Sequence, residues 1–333
     1  MLGRKKVVAA AIAAGLIAAL VGCKDEAVTT KQQDQMALMP IGIVQIVQHD
    51  ALDASRKGIV DALAKRGYKD GQNIKLDIQN AQGDQSNLHN IVNRFISNKD
   101  KVIFAIATPS AQSAASQTKD IPIVATAVTN FEVAKLVKSN EKPGGNVTGV
   151  SDINPVGAQL KLLLDMDPKV KTVAVMYNSS EINSEYQAKL LREAAEKLGV
   201  KVVDATVTNV NEIAQVAQNL VGKVDAIYLP TDNVIASALP AVLKVAIAAK
   251  LPVIAGEGGM VREGCLASIA VDYYQLGEMT GEMGADILDG KAKPADMPIQ
   301  TQNADKVIIN MKTAKAIGLE IPAAILDKAT KVE

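Results

Sequence analysis

Ile41-Gly-Ile-Val-Gln-Ile-Val47, followed by Leu52, Ile59, Val60 and Leu63 and a stop at Gly67, decides the fold class of this chain. The first run is rich in β-branched residues and reads as a strand. The spaced apolar positions after it mark one face of a helix. The unit then recurs. Strands are expected over residues 73–78, 102–107, 121–125 and 147–150, with a helix marked by Leu88, Ile91, Val92 and Phe95 and another ahead of Ile121. In a second set, Leu160, Leu163 and Leu164 mark a helix and residues 172–177 a strand. Tyr186, Leu190, Ala194 and Leu198 form a helical stripe that ends at Gly199, and strands follow over 200–205, 226–229, 252–255 and 267–271. Alternating strands and helices imply parallel sheets with right-handed crossovers. Two such sets predict an α/β protein of two doubly wound parallel-sheet lobes.

Composition narrows the function. A chain of 333 residues has room for two domains of ~150 residues each. Lys+Arg and Asp+Glu are both 36, so the net charge is zero, which argues against nucleic acid as a partner. Aromatic residues make up 3% and Trp is absent, so the core is built from Ala, Val, Ile and Leu, as buried parallel strands require. The two cysteines, Cys23 and Cys265, form no zinc pattern, and His49 and His89 sit in no metal-ligand spacing. Neither a metal nor a cofactor is expected. No Gly-x-Ser-x-Gly elbow and no Ser/His/Asp order stands out, so no motif supports an enzyme.

The first 23 residues read as an address and an anchor. Arg4, Lys5 and Lys6 precede an apolar run over 7–21, the right length for a signal peptide and too short for a membrane span. The run ends in Leu20-Val21-Gly22-Cys23, which resembles a bacterial lipobox, with Cys23 lipidated as the first mature residue. Residues 24–38 are mostly polar and read as a flexible tether. The folded part is therefore expected outside the cytoplasm, held to a bacterial membrane by lipid.

Ligands of such folds meet the carboxyl ends of the strands. The polar clusters that follow the expected strands are thus the candidate site. Thr108-Pro109-Ser110 opens a helix that Ser110 can cap, and the free amides there suit a carboxylate. Residues 178–184 form the most polar turn: Glu181 is suited to an ammonium, and Ser180, Asn183 or Ser184 to a carboxylate, or Asn183 or Ser184 to capping the next helix. Asp232, in Thr231-Asp232-Asn233, is a second candidate for an ammonium, or an Asx-type cap. Gly256-Glu257-Gly258-Gly259 reads as a permissive turn with Glu257 a weak candidate. His49 reads as a polar turn residue or a gate, His89 as a surface residue on a helix and Cys265 as a buried small hydrophobe.

Ala107-Thr-Pro-Ser-Ala-Gln112, Gly149-Val-Ser-Asp152 and Tyr177-Asn-Ser-Ser-Glu-Ile-Asn-Ser184 resemble segments of the ABC-transporter substrate-binding lipoproteins that include tryptophan- and tyrosine-binding members. The likeness runs from Pro40 to Leu326. It implies the type I periplasmic-binding-protein fold, with lobes at 39–151 plus 273–305 and 152–272 plus 306–333, joined by a multi-strand hinge. The first crossing is expected near 151–154 and the second near 271–274. The helix 276–288 should rejoin the first lobe, and the strand 307–310 should cross back to the second. The resemblance further implies a monomer without catalysis that captures an amino acid, often aromatic, and delivers it to ABC permease subunits. Ser110, Ala111 and Gln112 would line one side of the cleft. Asn178, Ser180, Glu181, Asn183, Ser184, Asp232 and Asn233 would line the other. The alternatives are the same fold with a nucleoside or sugar as ligand, or a lipid-anchored hydrolase.

Overall fold

The structure, a computed structural model, describes residues 38–333. The signal peptide, Cys23 and the tether up to residue 37 lie outside the described residues. Strand β1 (Met39–Gln45) leads through α1 (Asp50–Lys65), β2 (Ile74–Asn80), α2 (Gln85–Ser97), β3 (Ile103–Ile106), α3 (Thr108–Gln117) and β4 (Ile123–Val128) to β5 (Val147–Ser151). The second set runs α4 (Val156–Met166), β6 (Thr172–Asn178), α5 (Ile182–Leu198), β7 (Lys201–Val207), α6 (Ile213–Leu220), β8 (Ala226–Leu229), α7 (Asn233–Ser237), α8 (Leu239–Ala248), β9 (Val253–Ala255), α9 (Gly258–Glu263) and β10 (Ala267–Ala270). Then come α10 (Tyr273–Leu288), β11 (Gln300–Thr301), β12 (Lys306–Asn310), α11 (Met311–Ile317), α12 (Ala323–Leu326) and β13 (Ala329–Val332).

The strands form two sheets, ordered β11-β5-β4-β3-β1-β2 and β13-β12-β10-β9-β8-β6-β7. The first is parallel throughout. In the second, β12 pairs antiparallel with β10, and β13 runs parallel to β12. Each sheet reverses its winding beside its first strand, between β1 and β3 and between β6 and β8. Ligands bind at such switch points in open α/β sheets. The chain passes between the sheets at 152–155, at 271–272 and at 302–305. After the second passage α10 packs on α1, β4 and β5 of the first lobe.

Alternation along the strands builds the core. On β6, Val173, Val175 and Tyr177 enter one apolar cluster and Ala174 and Met176 the opposite one. Helices thus cover both faces of the sheet, which is why its strands read as unbroken apolar runs. In the first lobe β1, β3 and β4 are buried along nearly their whole length against α1, α2, α3 and α10.

Two helix readings need correction. The stripe Tyr186, Leu190, Ala194 and Leu198 is not the buried face of α5. That face carries Asn183, Ser184, Gln187, Ala188, Leu191 and Ala195, while Leu198 is 41% exposed. The polar members of the buried face point into hydrogen bonds at the cleft, so apolar spacing alone picks the wrong stripe. Nor does Ser110 cap α3. The N-cap position is Ala107, and Ser110 lies inside the first turn.

Ala107 has φ 81 and ψ 155, a region that is nearly glycine-only and costs about 1–3 kcal/mol for other residues. The sharp turn from β3 aims the start of α3 at the second lobe. Ala107→Gly is expected to relieve that strain and, after the added flexibility of the unfolded chain, to stabilise the protein by about 1 kcal/mol. Urea denaturation would read the gain; a loss of stability would show that the turn is unstrained.

Candidate functional site

The carboxyl ends of both sheets face one another across a narrow enclosed cavity. The first lobe contributes His49 after β1, Leu52 on α1, Ala127 on β4 and Asp152 after β5. The second contributes Thr231, Asp232 and Asn233 after β8, and Glu257 and Met260 after β9, with Tyr273 from the start of α10. A wider outer cavity lies between Ile46, Val47, Gln82, Gly83, Gln85 and Pro109 on one side and Asn178, Ser180, Glu181, Thr208, Asn233 and Val234 on the other.

Four carboxyl groups are buried here: Asp152, Glu181, Asp232 and Glu257. No Lys or Arg side chain lines either cavity among the described residues. Amides supply what solvation three of them have. Asp232 accepts from the backbone N–H of Asn178 (2.7 Å) and of Ile235 (2.8 Å), so one side chain ties the β6–α5 turn to the start of α7. Glu181 accepts from the side chains of Asn183 (3.0 Å) and Asn233 (2.6 Å) and from the Val234 N–H (3.3 Å). Glu257 caps α9 through the N–H groups of Gly259 and Met260.

Burial, and then the neighbouring Asp232 charge, push the Glu181 carboxyl up to about 8. Burial raises Glu257 to about 7 and moves Asp152 and Asp232 upward too. Burial lowers His49 to about 4, so its imidazole is neutral, and its Nε2 has no partner among the described residues. The cleft is therefore an acid-rich compartment, with Arg262, outside the lining, the cation that acts on Glu257.

A short polar chain closes it. Gln187 on α5 donates to Thr231 Oγ1 (2.6 Å) and to Thr129 Oγ1 (3.3 Å), and Thr129 lies 3.3 Å from Thr231. Thr129 follows β4 in the first lobe, whereas Gln187 and Thr231 belong to the second. These bonds join the lobes directly across the cleft.

Residues 40–333 match the family model described as ABC transporter substrate binding protein. A tyrosine-binding protein of Clostridioides difficile (strain R20291) is 43% identical over 326 residues, covering 96% of this chain and 94% of that one. The chain belongs to the ABC transporter substrate-binding proteins. Members of this family bind solutes and are not enzymes.

Among solved structures, an ABC domain from Streptococcus pneumoniae in complex with L-Trp is 42% identical, with a TM-score of 0.86 over 89% of this chain and 100% of that one. The ligand-free, open structure of a substrate-binding protein with adhesive properties from Clostridium difficile is 48% identical, yet its TM-score is 0.68 over 89% and 99%. The more identical chain fits less well, so lobe arrangement and not sequence sets the order. With the bonds through Thr129, this places the present structure of the substrate-binding protein in a closed arrangement.

The residues singled out from the sequence are not all placed alike. Asp232 and Asn233 line the inner cavity; Asn178, Ser180, Glu181 and Asn233 line the outer one. Asn183 and Ser184 are buried within α5, where they cap nothing. Ser110 and Ala111 are wholly buried in α3, and Gln112 donates to the Ala134 carbonyl (3.1 Å). Glu181 lines the outer cavity with both oxygens already accepting amides. His49 and Glu257 are more than turn residues, since both line the inner cavity. His89 is exposed and Cys265 is buried. Asp152, Tyr273, Thr129 and Gln187 were missed as site residues. The first two lie at the lobe crossings; Asp152 closes the Gly149–Asp152 segment that carries the family resemblance, and Tyr273 has only its place after a strand as a sequence signal.

Proposed function

We propose that this chain is the receptor of an ABC importer, capturing an α-amino acid, aromatic ones favoured, by closing its lobes on it. One observation carries the reading: the enclosed interlobe cavity holds buried carboxyl groups and no cationic side chain. Burial holds these carboxyls toward their neutral form, and an ammonium is the counter-ion that lets one of them ionise. For the carboxylate, carried on the same carbon as the ammonium, Thr108 and Ser110 in the first turn of α3 have buried hydroxyls without partners among the described residues. They flank Pro109, which lines the outer cavity. A helix start of this kind suits a carboxylate. Leu52, Met260 and Tyr273 line the inner cavity, whose volume of about 10 Å³ has room for one water, so the lobes must part further to seat a side chain against them. The relatives named for tyrosine and bound to L-Trp support an aromatic ligand, and the absence of Trp from this chain speaks against sugar stacking.

A thermal-shift screen against the twenty amino acids tests the reading. A ligand at 100 times its Kd adds about 2.7 kcal/mol of stability. Shifts with tyrosine or tryptophan are expected; shifts only with sugars or nucleosides would replace the amino acid as ligand.

The protein is further proposed to act as a monomer on the extracytoplasmic face of a bacterial membrane, anchored through Cys23. The lipobox supports this. Cys23→Ser is expected to move the protein from the membrane pellet to the soluble fraction or leave it unprocessed. Unchanged processing and pelleting of that variant would remove the lipid anchor from the account.

A further inference from the structure

We infer that Asp152 is the residue that receives the ammonium of the bound amino acid. This rests on the amino-acid reading above and goes beyond it by assigning the charge partner. Of the four carboxyl groups buried around the cleft, three are already committed. Both oxygens of Asp232 accept backbone N–H groups, both of Glu257 do the same, and both of Glu181 accept amides. Glu181, moreover, lines only the outer cavity.

Asp152 differs. Its Oδ2 accepts the Tyr273 hydroxyl at 2.6 Å. Its Oδ1 is buried without a partner among the described residues, and the residue, 2% exposed, lines the inner cavity. The Thr129 hydroxyl is near enough to favour the charged form, but no donor has hydrogen-bond geometry to Oδ1. A buried polar atom left unpaired calls for an explanation, and an unmade ligand contact is one. An ammonium brings three donors and a full positive charge, and it suits a carboxylate better than any neutral group does.

The position also fits capture. Asp152 stands on the first passage between lobes and Tyr273 follows the second. The Tyr273 bond holds the carboxylate in one orientation, so its free oxygen is presented to the cavity in advance. Ligands without a cationic group would leave Oδ1 stranded in the closed cleft. Asp152 thereby selects amines over their deaminated counterparts.

The test is calorimetry with L-tyrosine and with 3-(4-hydroxyphenyl)propanoate, its analogue without the amine, on the full chain and on Asp152→Asn. The wild type is expected to prefer tyrosine by roughly 30-fold or more, the scale on which unpairing a buried charge acts. In Asp152→Asn tyrosine affinity falls by about that factor, the analogue's does not fall, and the preference collapses. Tyr273→Phe keeps the charge and is expected to keep the preference. Undiminished discrimination in Asp152→Asn overturns the assignment. Should that variant not fold, a crystal structure of the wild type with tyrosine decides: the ammonium lies within hydrogen-bond reach of Asp152 Oδ1, or, if it sits against another carboxylate, the assignment is wrong. A wild type that binds no amino acid at all sinks the proposed function itself, an outcome distinct from either.

Discussion

Asp232→Ala is expected to lower folding stability by about 2–5 kcal/mol and to abolish solute capture. The side chain is 1% exposed and does two structural jobs from one carboxylate. One oxygen caps α7 at Ile235, and the other receives the Asn178 N–H from the neighbouring turn. Truncation strands both N–H groups in a buried site. A stranded donor costs about 1–3 kcal/mol, and there are two. The two turns then lose their tie at the switch point between β6 and β8, where the cleft wall is formed. Asp232→Asn keeps one acceptor and turns an amide toward the other N–H, so a smaller loss is expected. Urea denaturation reads the stability. A midpoint for Asp232→Ala equal to that of the wild type would show that the bonds do not hold the turns together.

Gly277→Ala is expected to destabilise the first lobe by about 2–3 kcal/mol. Helices α1 and α10 meet backbone to backbone. A Cβ at Gly277 would lie 2.0 Å from the Ser55 carbonyl oxygen, and one at Gly58 would lie 2.1 Å from the Tyr274 carbonyl oxygen. No rotamer change relieves a clash with main chain, so the helices must part, and overpacking of this kind costs about 1–3 kcal/mol. The consequence reaches the cleft. Ser55 Oγ donates to the Tyr273 carbonyl (3.0 Å), which fixes the start of α10 and hence the Tyr273 hydroxyl on Asp152. Stability should fall in denaturation, and affinity should fall with it. An exposed-site control, Gly71→Ala, also strains a left-handed residue (φ 73) but meets no atom within 4 Å, so its effect on affinity should be nil. If Gly277→Ala binds and unfolds like the wild type, the close packing is not as described.

Much of the fold was legible because buried parallel strands announce themselves as short apolar runs. The ten strands from β1 to β10 fell within about three residues of their expected ends, and Gly67 and Gly199 marked where α1 and α5 finish. What escaped notice has physical reasons. β11 is two exposed residues, too short to carry a pattern, and β13 is an edge strand with no fully buried side chain. In the site, polarity after a strand flagged Asp232 and Asn233, and that signal is local. It could not separate a carboxylate satisfied by its own neighbours, as Glu181 is, from one left open, as Asp152 is. That distinction depends on Tyr273, 121 positions away along the chain. Gln187 escaped because a glutamine on a helix reads as a solvent-facing residue until the lobes close on it.

Capture of an amino acid by closure between the lobes is the central claim, and small-angle scattering with and without L-tyrosine or L-tryptophan tests it most directly. Protein stripped of copurified solute by unfolding and refolding should give the larger radius of gyration, as expected for parted lobes. Addition of saturating tyrosine or tryptophan should shrink it to the value calculated for the closed structure, in which Gln187 and Thr231 reach Thr129. A radius that stays at the open value at every amino-acid concentration would contradict the account.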